Sequence, residues 1–119
     1  MKASNAIAIG IMSQAKLRER VLAIARGDYK PKASDPKIWF TSMKSVADVL
    51  SDENRALLRT IAATQPASIA ALAAETGANV RRVSRTLKTL SHYGLVDLLP
   101  SGTSLRPVSK GALYRIVVD

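Results

Sequence analysis

The sequence predicts an α+β chain, mainly helical, and three observations lead there. Apolar residues make up 47% of the 119 residues but aromatics only 4%, so the core must be built from Ala, Leu, Ile and Val, and the alanines suit closely packed helices. Most of the chain shows apolar residues at three- and four-residue spacing, in several places behind a serine or asparagine able to cap a helix. Short β-branched runs near both ends and in the middle interrupt that pattern and read as strands. The length fits one domain with a short appended element.

Taken in order, Asn5–Ile11 alternates isoleucine with Ala and Gly and reads as a strand. Ser13 can cap a helix running to Arg26, with Leu17, Val21 and Ile24 on one face and Gly27 as its stop. Asp28–Lys37 holds two prolines and several charges and reads as a loop. Lys37–Thr41 has the composition of a strand, its Trp39 and Phe40 suited to filling core. Met43, Val46, Ala47 and Leu50 follow helical spacing. Ser51 then caps a further helix, where Asp52 and Glu53 suit the positive end of the dipole and Leu57, Leu58, Ile61 and Ala62 form the inward stripe, ended by Gln65-Pro66.

Residues 68–94 are the most informative stretch. Ser68 caps a short helix with Ile69, Leu72 and Ala73 facing inward, and Gly77 stands where a tight turn needs positive φ. Asn79 caps a second helix with Val80, Val83, Leu87 and Leu90 on one face, and Gly94 supplies its stop. A small residue at 73, glycine four positions on and a β-branched residue six beyond that form the helix-turn-helix pattern. The second helix exposes Arg81, Arg82, Ser84, Arg85 and Lys88, with no acid between Glu75 and Asp97. Arginine can grip guanine edges in bidentate fashion, while lysine and serine suit phosphates. Leu95–Leu99, the turn Pro100–Thr103 and Ser104–Val108 then read as strand, turn and strand, with Pro107 calling for an edge position. Two helices followed by a hairpin predict a winged helix-turn-helix.

Charge agrees. The chain carries 18 basic and 9 acidic residues, a net charge of +9. Residues 76–118 hold seven basic side chains and one acid, Asp97, so the excess sits on the second helix of the pair and the strands beyond it. That distribution suits a polyanion.

Val83–Val96 resembles the recognition helix and the start of the wing in MarR-like and related winged-helix regulators. Over nearly the whole chain the sequence resembles a narrower group, small prokaryotic predicted transcriptional regulators described as antitoxin-like DNA-binding proteins. Ala23–Lys32, Pro36–Ser42, Leu50–Leu58 and the helix-turn-helix carry that resemblance. It implies transcriptional regulation and a cognate toxin protein as a partner.

Other classes find little support. There is no cysteine, which excludes disulfides, thiolate metal sites and cysteine nucleophiles. His92 is the sole histidine and has no second ligand of its kind, so no metal is expected. Asp52 and Glu53 serve a helix N-terminus better than catalysis, no Gly-rich phosphate loop occurs, and neither an enzyme nor a cofactor is expected. Ala6–Met12 superficially resembles a secretion leader but is short, contains Gly10 and lacks a small-residue cleavage site. No stretch approaches the roughly 20 apolar residues that span a bilayer, so a cytoplasmic protein without membrane contact is expected.

The sequence thus leads us to expect an N-terminal strand-helix extension over residues 1–36 that dimerises the chain, and a winged helix over 37–119 that binds double-stranded DNA. Ser68, Asn79, Arg81, Arg82, Ser84, Arg85 and Lys88 would contact it from the two helices, with Arg82 and Arg85 reading bases and Lys88 a phosphate. Ser101, Thr103, Ser104 and Arg106 would contact it from the wing. Homodimerisation is expected because strands at the chain's extremities, Asn5–Ile11 and Leu113–Val118, need partners; the competing arrangement pairs them within one chain. An RNA-binding or protein–protein interaction module on the same fold is the alternative function.

Overall fold

Side-chain caps set where the helices begin. In the computed structural model, which describes residues 6–111 and 113–118, Ser13, Ser42, Ser51 and Ser68 each accept a hydrogen bond through Oγ from the backbone N–H three residues on, at 3.0–3.2 Å. Asn79 accepts two through Oδ1, from the N–H groups of Arg81 and Arg82, at 2.8 and 3.2 Å. Each cap satisfies donors that the first turn leaves orphaned. The helices they open are α1 (Gln14–Arg26), α2 (Met43–Val49), α3 (Asp52–Thr64), α4 (Ile69–Thr76) and α5 (Val80–His92). Left-handed residues close three of them, Gly27 after α1, Gln65 after α3 and Gly77 after α4. The strands are β1 (Ala6–Ile11), β2 (Ile38–Phe40), β3 (Val96–Ser101), β4 (Ser104–Ser109) and β5 (Leu113–Val118). The chain is α+β. Asn5, the expected start of the first strand, lies outside the described residues.

The strands form two sheets. One has the order β2-β1-β5, with both pairings parallel, and the other is the antiparallel pair β3-β4. Parallel neighbours need a crossover: α1 crosses between β1 and β2, and everything from α2 to β4 separates β2 from β5. β1 is therefore the central strand, with both of its edges taken inside the chain, so the two extremities pair with each other, and among the described strands β5 keeps its outer edge unpaired.

Alternation along β1 and β2 assigns the two faces. Ile9 and Ile11, in register with Ile38 and Phe40, are buried in one core cluster with Val46, Val49, Leu50, Leu58, Ile61, Leu72, Ala73, Val83, Leu87, Leu90, Leu95 and Val96. The other face carries Gly10 beside Trp39. A Cβ on Gly10 would lie 2.2 Å from the indole ring, so only glycine fits beneath it. The Arg20 guanidinium of α1 stands 5.0 Å from the centre of the Trp39 ring and 5.0 Å from that of Tyr29. Half-buried Asp35 ties the α1–β2 loop to this stack, accepting from the Tyr29 hydroxyl, from Lys32 N–H at 3.1 Å and from Arg20 at 3.4 Å.

Helix α1 forms where the spacing places it; it buries no residue, and Val21, Leu22 and Ile24 are exposed. Two expectations need correcting. Ala62 of α3 and Val80 of α5 face solvent rather than the inward stripes. In each case helical spacing locates a face without saying how far the neighbouring element extends over it. Finally, the hairpin turn is tighter than Pro100–Thr103, because β3 runs on to Ser101, pairs it with Ser104, and leaves only Gly102 and Thr103 as the loop, with Gly102 at φ +63°. No helix among the described residues is long and apolar enough to cross a membrane.

Candidate nucleic-acid interface

Helix α5 packs on α4 and β3, which fixes what its outer side presents. Val83, Leu87 and Leu90 are buried, and α5 packs against α4 and β3. At its C-terminal end the Tyr93 ring stacks on Phe40 of β2, centroids 4.5 Å apart and planes within 8°. At its N-terminal end the chain turns out of α4 through Gly77, at φ +69°, ψ +18°, whose N–H and that of Ala78 close the helix on the carbonyls of Ala74 and Ala73. Ala73 is buried, as the close crossing of α4 and α5 requires.

Asn79, Val80, Arg81, Ser84, Arg85 and Lys88 together border an open cleft of about 860 Å³ along the outer face of α5. Positions 81, 84, 85 and 88 share that face because they recur at three- and four-residue steps. Arg81, Arg85 and Lys88 are exposed and have no carboxylate partner among the described residues. Three cations with no carboxylate partner among the described residues, a hydroxyl and the side chain of a capping asparagine converge on one strip. Such a strip offers charge to phosphates and planar donors to base edges.

Arg82 does not join them. It points towards α3, where its guanidinium lies 3.8 Å from the Glu53 carboxylate and borders a separate cleft with Asn54, Gly77 and Thr86. Both partners are exposed, so the pair is weak, but it sets Arg82 apart from the outer face. Ser68 is half-buried, with its Oγ committed to Ala71 N–H at the start of α4. Ser101, Thr103, Ser104 and Arg106 are exposed at the tip of the β3–β4 hairpin, where the Ser104 hydroxyl donates to the Ser101 carbonyl at 3.0 Å. The base of the hairpin is anchored by buried Pro107, paired with Leu98, and β4 packs on α3 and α4. His92 is exposed and meets the Tyr93 ring edge-on. Among the described residues no cluster of three or more His, Cys, Asp or Glu is arranged to hold a metal ion.

Sequence reasoning overlooked Val80, half exposed among the cations and free to make apolar contact with a ligand, and Glu53 as the partner of Arg82. Counting from Arg81 around the helix would have found the first. The second depends on how α3 crosses α5.

A family model described as HVO_A0114 matches residues 49–112. That is more than half of the chain and spans α3 to β4, and the chain belongs to this family. No curated protein and no solved structure matches it.

Proposed function

We propose that this member of the HVO_A0114 family is a sequence-specific double-stranded DNA-binding transcriptional regulator, a repressor, built as a winged helix-turn-helix of the MarR-like kind. The observation that carries the proposal is the outer face of α5, where Arg81, Ser84, Arg85 and Lys88 stand together, with no carboxylate partner among the described residues, on a helix anchored from behind.

In this mechanism α5 lies in the major groove. Arg81 and Arg85 supply the bidentate donors that suit guanine O6 and N7, Val80 suits a thymine methyl, and Lys88 and Ser84 suit phosphate oxygens. Ser68 shapes the start of α4, whose free N–H groups favour a phosphate. The tip at Ser101–Arg106 acts as the wing, touching backbone or minor groove. Occupancy of a promoter then excludes polymerase. A homodimer doubles these contacts on a palindrome, and a cognate toxin protein is the further partner that the antitoxin-like resemblance implies. The work is binding in the cytoplasm, and it uses neither metal nor cofactor.

Selection of bound duplexes from a random pool tests this. Enrichment of one short motif supports it. A pool that stays random, or a preference for single-stranded RNA, overturns it in favour of an RNA-binding or interaction module.

A further inference from the structure

We infer that β5 is the dimer interface, joining two copies of this chain edge to edge, antiparallel across a two-fold axis, into one six-stranded sheet of order β2-β1-β5-β5-β1-β2. This is a surface for the homodimer proposed above, but its support is the sheet alone and not DNA binding.

The composition of β5 belongs inside a sheet, while its position is at the edge. Leu-Tyr-Arg-Ile-Val-Val carries apolar side chains on both faces, holds no proline or glycine and has one charge, Arg115. Strands of parallel sheets read this way when covered on both faces, rather than alternating apolar with polar. Yet among the described strands β5 pairs only with β1. Leu113 is 63% exposed, Ile116 44%, Val117 36% and Val118 58%. Edge strands left free are usually short, charged, bulged or broken by proline, and of these protections β5 has only the single charge of Arg115.

The environment narrows the occupant. Tyr114, Ile116 and Val118 are in register with Ile7, Ile9 and Ile11 and so share the core face of the sheet. Beside them a largely apolar groove of about 620 Å³ is bordered by Met43, Val46, Leu50, Leu58 and Leu113, and also by Arg55 and Arg59. Val117, in register with Gly10, lies on the opposite face, the side of Trp39 and α1. Whatever pairs with β5 must therefore bring apolar cover to both faces at once and a free strand edge between them. A second β5 brings all three. It extends the sheet, its own apolar residues meet those of the first copy on each face, and antiparallel pairing about a two-fold is self-complementary, with no new sequence required. A helix laid in the groove would cover one face and leave the edge hydrogen bonds unmade.

The full-length chain tests this by sedimentation velocity over a concentration series. Leu113→Lys combined with Val118→Lys places two charges at exposed positions of the edge, where the monomer does not need them. The prediction is a dimer for the native chain at micromolar concentration and a folded monomer for the double variant, with helical circular dichroism unchanged. Val21→Lys, equally exposed on α1, should stay dimeric. Because the chain has no cysteine, single variants Arg115→Cys and Ile116→Cys give an independent readout. Residues facing each other across an antiparallel pair stand about 4.5–5.5 Å apart at Cα, within disulfide range, so oxidation should crosslink at least one of them and not Val21→Cys. A native chain that remains monomeric, or a dimer that survives the lysines and crosslinks through α1 instead, overturns the inference.

Discussion

Arg82 and Arg85 lie one turn apart on α5 and end in different company. Arg85 stands on the open strip with Arg81 and Lys88, whereas Arg82 faces the Glu53 carboxylate. The two should therefore fail differently when truncated, although side-chain type alone makes both look like base readers. Arg85→Ala should cost about 1–3 kcal/mol of affinity for the selected duplex and relax discrimination at one base pair. Lys88→Ala should weaken all duplexes alike and reduce the salt slope by about 1. Arg82→Ala should lose less than Arg85→Ala, since its charge is already partly answered. Fluorescence anisotropy on matched and mismatched duplexes separates these outcomes, and equal losses for Arg82 and Arg85 would show that the Glu53 contact does not persist on DNA. The strip itself was legible in the sequence because helical period alone brings residues 81, 84, 85 and 88 together. The Glu53 contact was not, because it joins two helices whose crossing no local spacing encodes.

At the scale of elements, turn chemistry was the most legible part. Gly77 is predicted to need positive φ and adopts +69°. Nothing lies within 4 Å of a Cβ placed there, so the cost of a side chain is backbone strain rather than collision. Gly77→Val should destabilise the chain by roughly 1–3 kcal/mol and lower DNA affinity with it, because the turn sets how α5 leaves α4. An unchanged melting temperature would mean that the turn relaxes freely. What the sequence left open was which strands pair. Parallel partners are far apart along the chain, and an apolar run such as Ile38–Phe40 does not name its neighbour. The same holds for the loop at 28–37, whose prolines and charges gave no hint of its tie to α1. There the Tyr29 hydroxyl above all, then Lys32 N–H and Arg20, holds the Asp35 carboxyl below its ordinary range against the opposing effect of burial. A carboxyl with a lowered folded-state value adds stability above its unfolded value of about 3.9 and loses it as pH falls through the folded value. Asp35→Asn should therefore melt lower than the native chain at neutral pH, and the gap should narrow as pH drops below about 4. A gap constant from neutral to acid pH would remove the carboxylate from the account.

Over the whole molecule, charge and architecture converge. The basic excess of residues 76–118 lies on α5, the hairpin and β5, while the more balanced first part supplies α1, β1 and β2. The sheet is also where the chain's two ends meet, since β1 and β5 are paired along their whole described length. If β5 joins two copies, their three-stranded sheets become one, and the separation of the two α5 helices is fixed by packing rather than by a linker. Half-sites should then stand at one fixed spacing, near a helical repeat of about 10 base pairs or a multiple of it. The most direct test is the binding of the full-length chain to duplexes selected from a random pool, measured against salt concentration. A single enriched palindromic motif is expected, bound far more tightly than unrelated duplex, with a steep salt slope reflecting several phosphate contacts. Affinity equal for all duplexes, or absent altogether, would contradict sequence-specific binding.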